Sequence, residues 1–306
     1  MIPRVYDVVI LGNPSYNVLT EVSDPELEYA ITSCSIYSGA ILAKIDIGPF
    51  ALIGAVGTRF RDRVVADIER LQIPEHYLID SNGTIEVFLN NGTDPPQNLV
   101  TSINEIRIRD FPEEFLRTEF ILLNPVIREI HIELMEWLST SSDAKLLLDP
   151  RFRTVGSNGK AMMLSDHHMA EEALQFVEVV KTNKAESLVM TGEVDPFLAA
   201  EAMVEAGCGI GIVTLGSEGS IIFDGIDFFS IPAFKAATVD TTGAGDAYFA
   251  GFTKQLLDSQ PLADCGAFAS TIAGMMIGSP DGLNFNIKLD HVMEKSLELS
   301  EDITIR

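Results

Sequence analysis

The sequence predicts an α/β fold in which a largely parallel sheet is covered by helices on both faces. Two observations predict it: short uninterrupted apolar runs recur along the whole chain, and stretches with helical periodicity lie between many of them. A third is size. With 306 residues and 46% apolar content the chain can bury a full core, as one large α/β domain or two smaller ones.

The strand-like runs are Val8-Val9-Ile10-Leu11, Ala51-Leu52-Ile53, Phe120-Ile121-Leu122-Leu123, Lys145-Leu146-Leu147-Leu148, Val177 to Val180, Ser187-Leu188-Val189, Ile210-Gly211-Ile212-Val213 and Ile221-Ile222-Phe223. Helical spacing covers Asp62 to Leu71, Glu129 to Leu138, Ala170 to Val180 and Pro196 to Ala206. Two segments, roughly 13–33 and 83–107, break the rhythm. In the second, Thr84 to Leu89 and Asn98 to Thr101 flank the turn-rich Asn90-Asn91-Gly92-Thr93-Asp94-Pro95-Pro96 and read as a hairpin. Together the two segments predict a small β lid over one edge of the main sheet; a pair of decorated surface loops is the plainer reading.

A formal charge of −24, from 45 acidic against 21 basic side chains, repels nucleic acid and anionic membranes. A small phosphate-bearing ligand would need a local patch of backbone N–H groups, basic side chains or a divalent cation. Cys34, Cys208 and Cys265 are scattered and odd in number, which fits reduced thiols better than a disulfide framework or a zinc cluster. No apolar run approaches the ~20 residues of a membrane span, so a soluble, cytoplasmic protein is expected.

The chemistry concentrates in Asp240-Thr241-Thr242-Gly243-Ala244-Gly245-Asp246, followed by the apolar-faced helical stretch Ala247 to Leu257. A small-residue turn opening into a helix N-terminus leaves the N–H groups of Gly243, Ala244, Gly245 and Asp246 unpaired and lets an anion approach closely. The helix end is also expected to hold the Asp246 carboxylate ionised. A general base beside an anion hole is what phosphoryl transfer to an alcohol requires. Read alone, the same residues describe an ordinary Asp in a first helical turn.

This run resembles the C-terminal signature of the ribokinase-like (PfkB) carbohydrate kinase family. The resemblance implies a three-layer α/β/α sandwich with a small β lid, as a single domain over 1–306. It implies Asp246 as catalytic base, Gly243, Ala244 and Gly245 as the anion hole for the γ-phosphate of ATP, and Asp240 and Thr242 as holders of a monovalent cation such as K⁺. Asn183-Lys184-Ala185-Glu186 is similar to the family's Asn-x-x-Glu element, in which Asn183 and Glu186 would organise Mg²⁺-bound water. Thr214-Leu215-Gly216-Ser217-Glu218-Gly219 looks like its Thr-x-Gly-x-x-Gly turn, which places Thr214, Gly216 and Gly219 along the nucleotide; a plain hairpin turn is the alternative.

The acceptor side departs from the pattern. Downstream of Asn13, Asn17 stands where an Asp is expected, weakening a charge-assisted hydrogen bond. Ser33-Cys34-Ser35 replaces a Gly-Gly element, and Ser38 lies where many members carry Asn. Asp149-Pro150-Arg151-Phe152-Arg153 resembles a stretch bearing an Asp and an Arg near acceptor or phosphate, so Arg151 and Arg153 are candidates for a local positive patch. Asn13, Asn17, Ser35, Ser38 and Arg153 are thus the expected acceptor-binding residues.

Three lookalikes are set aside. Gly207-Cys208-Gly209-Ile210-Gly211 precedes a strand, unlike a dinucleotide fingerprint; Gly159-Lys160 lacks the rest of a P-loop; and His167-His168 diverge by roughly 100° on a helix. The expected function is transfer of the ATP γ-phosphate to a hydroxyl of a small sugar, polyol or nucleoside. Its rivals are a non-catalytic nucleotide- or sugar-binding protein of the same fold and a kinase of the pyridoxal or hydroxymethylpyrimidine type. The expected partner is the small-molecule substrate, with a homodimer formed through the lid if its apolar face is exposed.

Overall fold

A computed structural model of the chain describes residues 4–18, 29–90, 97–100, 105–126, 129–151, 153–155, 161–163, 168–280 and 282–306. Parts of both predicted lid segments, Thr101, Gly159-Lys160 and His167 lie outside these, as does the side chain of Arg153.

In chain order the first half holds β1 (Tyr6–Leu11), β2 (Ser15–Val18), β3 (Tyr29–Ile31), α1 (Cys34–Leu42), β4 (Phe50–Gly57), α2 (Arg61–Arg70), β5 (His76–Ser81), β6 (Ile85–Asn90), β7 (Gln97–Val100), β8 (Thr118–Leu123), α3 (Ile132–Ser141) and β9 (Lys145–Leu148). There follow β10 (Arg153–Val155), β11 (Ala161–Met163), α4 (His168–Leu174), β12 (Val179–Asn183), α5 (Lys184–Thr191), α6 (Pro196–Glu205) and β13 (Ile210–Thr214). The chain closes with β14 (Ser220–Phe223), β15 (Phe228–Ile231), α7 (Ala244–Leu257), α8 (Leu262–Ile277), α9 (Leu289–Ser300) and β16 (Thr304–Ile305).

Ten strands form the main sheet in the order β16-β15-β14-β13-β12-β9-β8-β1-β4-β5. The seven from β13 to β5 run parallel, and β14, β15 and β16 add an antiparallel edge. Side-chain alternation explains the three layers. On β1, Val8 and Ile10 join a core shared with α1, α2, α7, α8 and α9, whereas Val9 and Leu11 face a second core with α3, α4 and α6. Strands buried on both faces must be apolar throughout, hence the uninterrupted runs.

Strands β3-β2-β6-β7 form a separate four-stranded sheet. Its β6–β7 pair is antiparallel with Val87 opposite Val100, and β2 lies parallel to β6 with Tyr16 opposite Glu86. The two arrhythmic segments thus supply strands to one sheet. It is pinned to α2 by Tyr16, whose ring stacks on Phe60 at 5.4 Å and whose hydroxyl donates to Asp67 Oδ2 at 2.9 Å.

Three expectations are corrected. Ser187-Leu188-Val189 is not a strand but part of α5, because Asn183 and Glu186 cap that helix in both directions. The helix expected over Ala170 to Val180 stops at Leu174, and Val179 and Val180 open β12, paired to Leu147 and Leu148. The helix expected from Glu129 starts at Ile132, leaving Glu129 buried in the preceding loop.

Candidate active site

Chain order reverses about β1, which pairs with β4 on one side and β8 on the other. In open parallel sheets the crevice outside the carboxyl ends of strands at such a switch point is where ligands bind. Following those ends gives Gly12-Asn13 after β1, Asn124 after β8, Asp149-Pro150-Arg151 after β9, Asn183 at the end of β12 and Thr214 at the end of β13. The N-terminus of α7 faces the same edge, since Lys181 on β12 reaches it.

Gly243 caps α7 in the left-handed conformation at φ 79°, and a Cβ there would overlap the Tyr37 ring. The Gly243 carbonyl takes the Ala247 N–H at 2.8 Å, starting the helix, while the Ala244 N–H turns back to Thr241 O at 3.2 Å. Three of the four expected N–H groups, those of Gly243, Gly245 and Asp246, therefore have no partner among the described residues. Asp246, in the first turn, is buried.

Five charged side chains converge here. Arg151 Nη2 donates to Asp246 Oδ1 at 3.0 Å and lies 3.8 Å from Asp149 Oδ2, and Nη1 lies 3.8 Å from Glu186 Oε1. Lys181 Nζ donates to Asp149 Oδ2 at 2.6 Å and to the Gly245 carbonyl at 3.3 Å, tying β9, β12 and α7 together. Asp149 Oδ1 and Arg151 Nε are buried without a hydrogen-bond partner. Burial pushes the Asp246 carboxyl above the ordinary range, opposed by the neighbouring Arg151 guanidinium, and Glu186 moves the same way for the same reasons. Burial thus acts against the ionised form that the helix end is expected to favour.

The sequence profile of the pfkB family of carbohydrate kinases matches residues 41–288, well over half of the chain. The chain belongs to this family. Cytidine kinase of Thermococcus kodakarensis is 24% identical over 274 residues, covering 85% of this chain and 91% of that enzyme. Nucleoside kinase of Methanothermobacter thermautotrophicus is 42% identical over 83 residues, 27% of this chain and 26% of its own. Among solved structures, a pyrophosphate-dependent kinase of the ribokinase family complexed with a pyrophosphate analogue and myo-inositol superposes with TM-score 0.76 at 18% identity, covering 95% of this chain and 99% of its own. Arabidopsis thaliana ribokinase complexed with ribose and ATP gives 0.72 at 18%, covering 98% and 99%. The fold is accordingly the ribokinase-like α/β/α sandwich.

In this pfkB-family chain the residues expected on the donor side are held by local hydrogen bonds and turns. Asn183 Oδ1 accepts the N–H groups of Ala185 and Glu186 at 2.9 Å, and Glu186 Oε2 accepts the Asn183 N–H at 2.9 Å, leaving Oε1 turned toward Arg151. Thr214 Oγ1 donates to Thr182 O at 3.1 Å. Gly216 and Gly219, at φ 62° and 96°, turn β13 into β14 as a hairpin, and a side chain at 219 would strike the Ile231 carbonyl. Asp240 Oδ1 accepts both the N–H and the hydroxyl of Thr242, at 2.9 and 2.8 Å, which hold its carboxyl below the usual range.

Of the residues expected on the acceptor side, Asn13, Ser35 and Ser38 are engaged by neighbouring residues. Asn13 Oδ1 accepts the Ala55 N–H at 2.7 Å, Ser33 Oγ donates to Asn13 O at 3.0 Å, and Ser33 and Ser35 hydroxyls share a 2.8 Å bond. Ser38 Oγ accepts from Asn124 Nδ2 at 2.6 Å. Asn17 stands at mid-strand in β2, opposite Ala30 and Val87, half-buried. Cys34 opens α1 near Asp246: it is buried, and its thiol is pushed up by burial.

Sequence reasoning missed Lys181, Asn124, Ser15 and Glu129. Lys181 carried a signal, a lone charge inside an apolar strand just before Asn183. Asn124 and Ser15 carried none; the Asn124 Oδ1 and Ser15 Oγ atoms are buried without partners. Glu129, fully buried, accepts the Val126 N–H at 2.7 Å and the Asn13 N–H at 3.4 Å, joining the ends of β8 and β1.

No group of three or more His, Cys, Asp or Glu side chains among the described residues is placed to hold a metal unaided. The oxygens present, Glu186 Oε1 and the orphaned Asp149 Oδ1, are hard donors that fit Mg²⁺ arriving with nucleotide phosphates and keeping most of its waters. No helix among the described residues is long and apolar enough to cross a membrane.

Proposed function

We propose that this pfkB-family chain transfers the γ-phosphoryl group of ATP to a hydroxyl of a small sugar, polyol or nucleoside, with Asp246 as general base. The observation that carries this is the buried Asp246 carboxylate in the first turn of α7, beside the open N–H groups of Gly243 and Gly245. A carboxylate and an anion hole within one helical turn serve opposite ends of one reaction. The acceptor hydroxyl oxygen bonds to the γ-phosphorus as the bond from that phosphorus to the β-bridging oxygen breaks. The electron pair leaves with ADP, and the hydroxyl proton passes to Asp246.

Glu186, steadied by the Asn183 N–H, is the residue to hold Mg²⁺ through water, and the ion when bound neutralises charge between the phosphates. The hairpin turn at Gly216 and Gly219 lies at the donor end, where the bare backbone suits contact with phosphates and ribose. Ser15 and Asn124 join Asn13, Asn17, Ser35 and Ser38 as the acceptor-side set, because their unpartnered oxygens suit sugar hydroxyls. Asp240 and Thr242 are assigned to a K⁺ site, read out by comparing activity in K⁺ and Na⁺ buffers.

Nucleosides stand first among acceptors because the cytidine kinase relative aligns along almost its whole length. The test is turnover with Mg²⁺ and ATP or pyrophosphate over nucleosides, pentoses, hexoses and inositols, beside Asp246→Asn. Turnover on one acceptor, reduced about 10²- to 10⁴-fold in the variant, supports the reading. Full turnover by the variant defeats the base assignment, and nucleotide binding with no turnover on any pair favours the non-catalytic rival.

A further inference from the structure

Arg151 is bonded to the carboxylate that the kinase reading makes the general base. Its close hydrogen bond is to Asp246 Oδ1 at 3.0 Å, on the very carboxylate that has to accept a proton. Its approaches to Asp149 and Glu186, both 3.8 Å, are ion-pair distances too long for hydrogen bonds. A guanidinium carries five N–H donors in a planar fork, and here Nε is buried with no partner. The side chain is one-fifth exposed, although Nε itself is buried. Among the described residues, the cationic side chains beside Asp149, Glu186 and Asp246 are Arg151 and Lys181, and Lys181 is committed to Asp149 and the Gly245 carbonyl.

We infer that Arg151 changes partner during the reaction: without donor it latches the carboxylate of Asp246, and with donor bound it moves onto the γ-phosphoryl oxygens and frees that carboxylate for the acceptor hydroxyl. The inference rests on the kinase reading above. A γ-phosphoryl group between Gly245 and Arg151 offers what the present arrangement lacks, two acceptor oxygens that match Nε and one Nη of the fork. It also competes with Asp246 for the same cation, so donor binding and release of the base are one linked equilibrium. The base becomes available only when there is a phosphoryl group to transfer. Arg151 then stays with the transferred group through the transition state, which makes it a catalytic residue as well as a latch.

Linkage gives an experiment that does not need the acceptor. Binding of Mg²⁺-ADP and of the Mg²⁺ complex of AMP-PNP, a triphosphate analogue with an uncleavable β,γ-bridge, is measured calorimetrically on the full chain as wild type, Arg151→Gln, Arg151→Lys, Asp246→Asn and the Gln/Asn double variant. Arg151→Gln is expected to lose about 10- to 100-fold in AMP-PNP affinity, the loss of a bidentate charged contact, with ADP affinity unchanged. Arg151→Lys keeps the charge without the fork and falls between. Asp246→Asn releases Arg151 and binds AMP-PNP more tightly than wild type, and this gain shrinks when Arg151 is already Gln.

A gain from Asp246→Asn that is equal or larger in the Gln background means plain repulsion between Asp246 and the phosphate, and overturns the latch. Equal loss of ADP and AMP-PNP in Arg151→Gln assigns the residue to the architecture of the site, and loss of neither removes it from the donor site; either overturns the inference while the kinase reading stands. A wild type that binds neither nucleotide overturns the ATP reading and this inference together.

Discussion

Asp246 sits in two opposing fields. Removal from water favours its protonated form, the Arg151 guanidinium favours the carboxylate, and the first is the stronger. Two consequences have opposite signs. A base needs its ionised form, so turnover is expected to fall as pH drops through a pKa above the ordinary carboxylate value of about 4, placing the acid limb of the pH–rate profile nearer neutrality. Stability runs the other way. A carboxyl whose folded pKa is raised stabilises the fold below its unfolded pKa, and that contribution is lost as pH rises through the folded value. Asp246→Asn mimics the protonated form, so it is expected to melt no lower than wild type at pH 7, with any gain vanishing toward pH 4. Thermal melts at the two pH values check this, and a variant that melts lower at pH 7 would show that Arg151 is the stronger influence.

The turn and the cap illustrate how elements carry the site. Gly243 needs both its left-handed backbone and the space against Tyr37, so Gly243→Ala is expected to displace the α7 N-terminus and abolish turnover while the packed remainder of α7 keeps the protein folded. Unchanged circular dichroism with turnover below a hundredth of wild type is the expected result, and near-normal turnover would mean that the turn is not the anion site. The signature around this turn was legible because backbone chemistry is local: small residues before a helix leave N–H groups open wherever they occur. The apolar runs of β1, β4, β8, β9, β13 and β14 were legible for a similar reason, since strands covered on both faces have no polar alternation. Ser187-Leu188-Val189 misled because three apolar residues have no period of their own, and the capping pair Asn183 and Glu186, read as metal chemistry, also states that a helix begins. The cluster of Asp149, Arg151, Lys181, Glu186 and Asp246 was only half legible. Its members come from β12 and from the segments after β9, β12 and β15, and nothing along the chain says that one guanidinium will bridge three carboxylates.

At the scale of the whole molecule, the four-stranded sheet is a separate unit beside the main sheet. Its strands connect to the rest of the chain through β1–β2, β3–α1, β5–β6 and β7–β8, and at the third of these Gly57 donates its N–H to Thr84 Oγ1 at 3.0 Å. A Cβ at Gly57 would come within 2.7 Å of the Gly83 backbone, so the β5–β6 connection lies directly against the end of β4 there. The end carrying β2 and β3 is fastened to α2, with the Tyr29 ring edge-on to Phe60 at 5.1 Å, Arg63 over both tyrosine rings and Arg63 Nη2 donating to Tyr29 O at 3.0 Å. If the sheet acts as a lid, the fastened end is the pivot and the β6–β7 hairpin is the part that travels. Hydrogen exchange is then expected to slow in residues 85–90 and 97–100 when nucleotide and acceptor are both bound, while amides of β2 and β3 keep one rate throughout. Tyr16→Phe, which removes only the bond to Asp67, loosens the pivot and is expected to raise the acceptor KM more than it lowers kcat. Equal slowing across all four strands would instead mean that the sheet orders as a rigid block, and no slowing would leave it a fixed wall of the acceptor site.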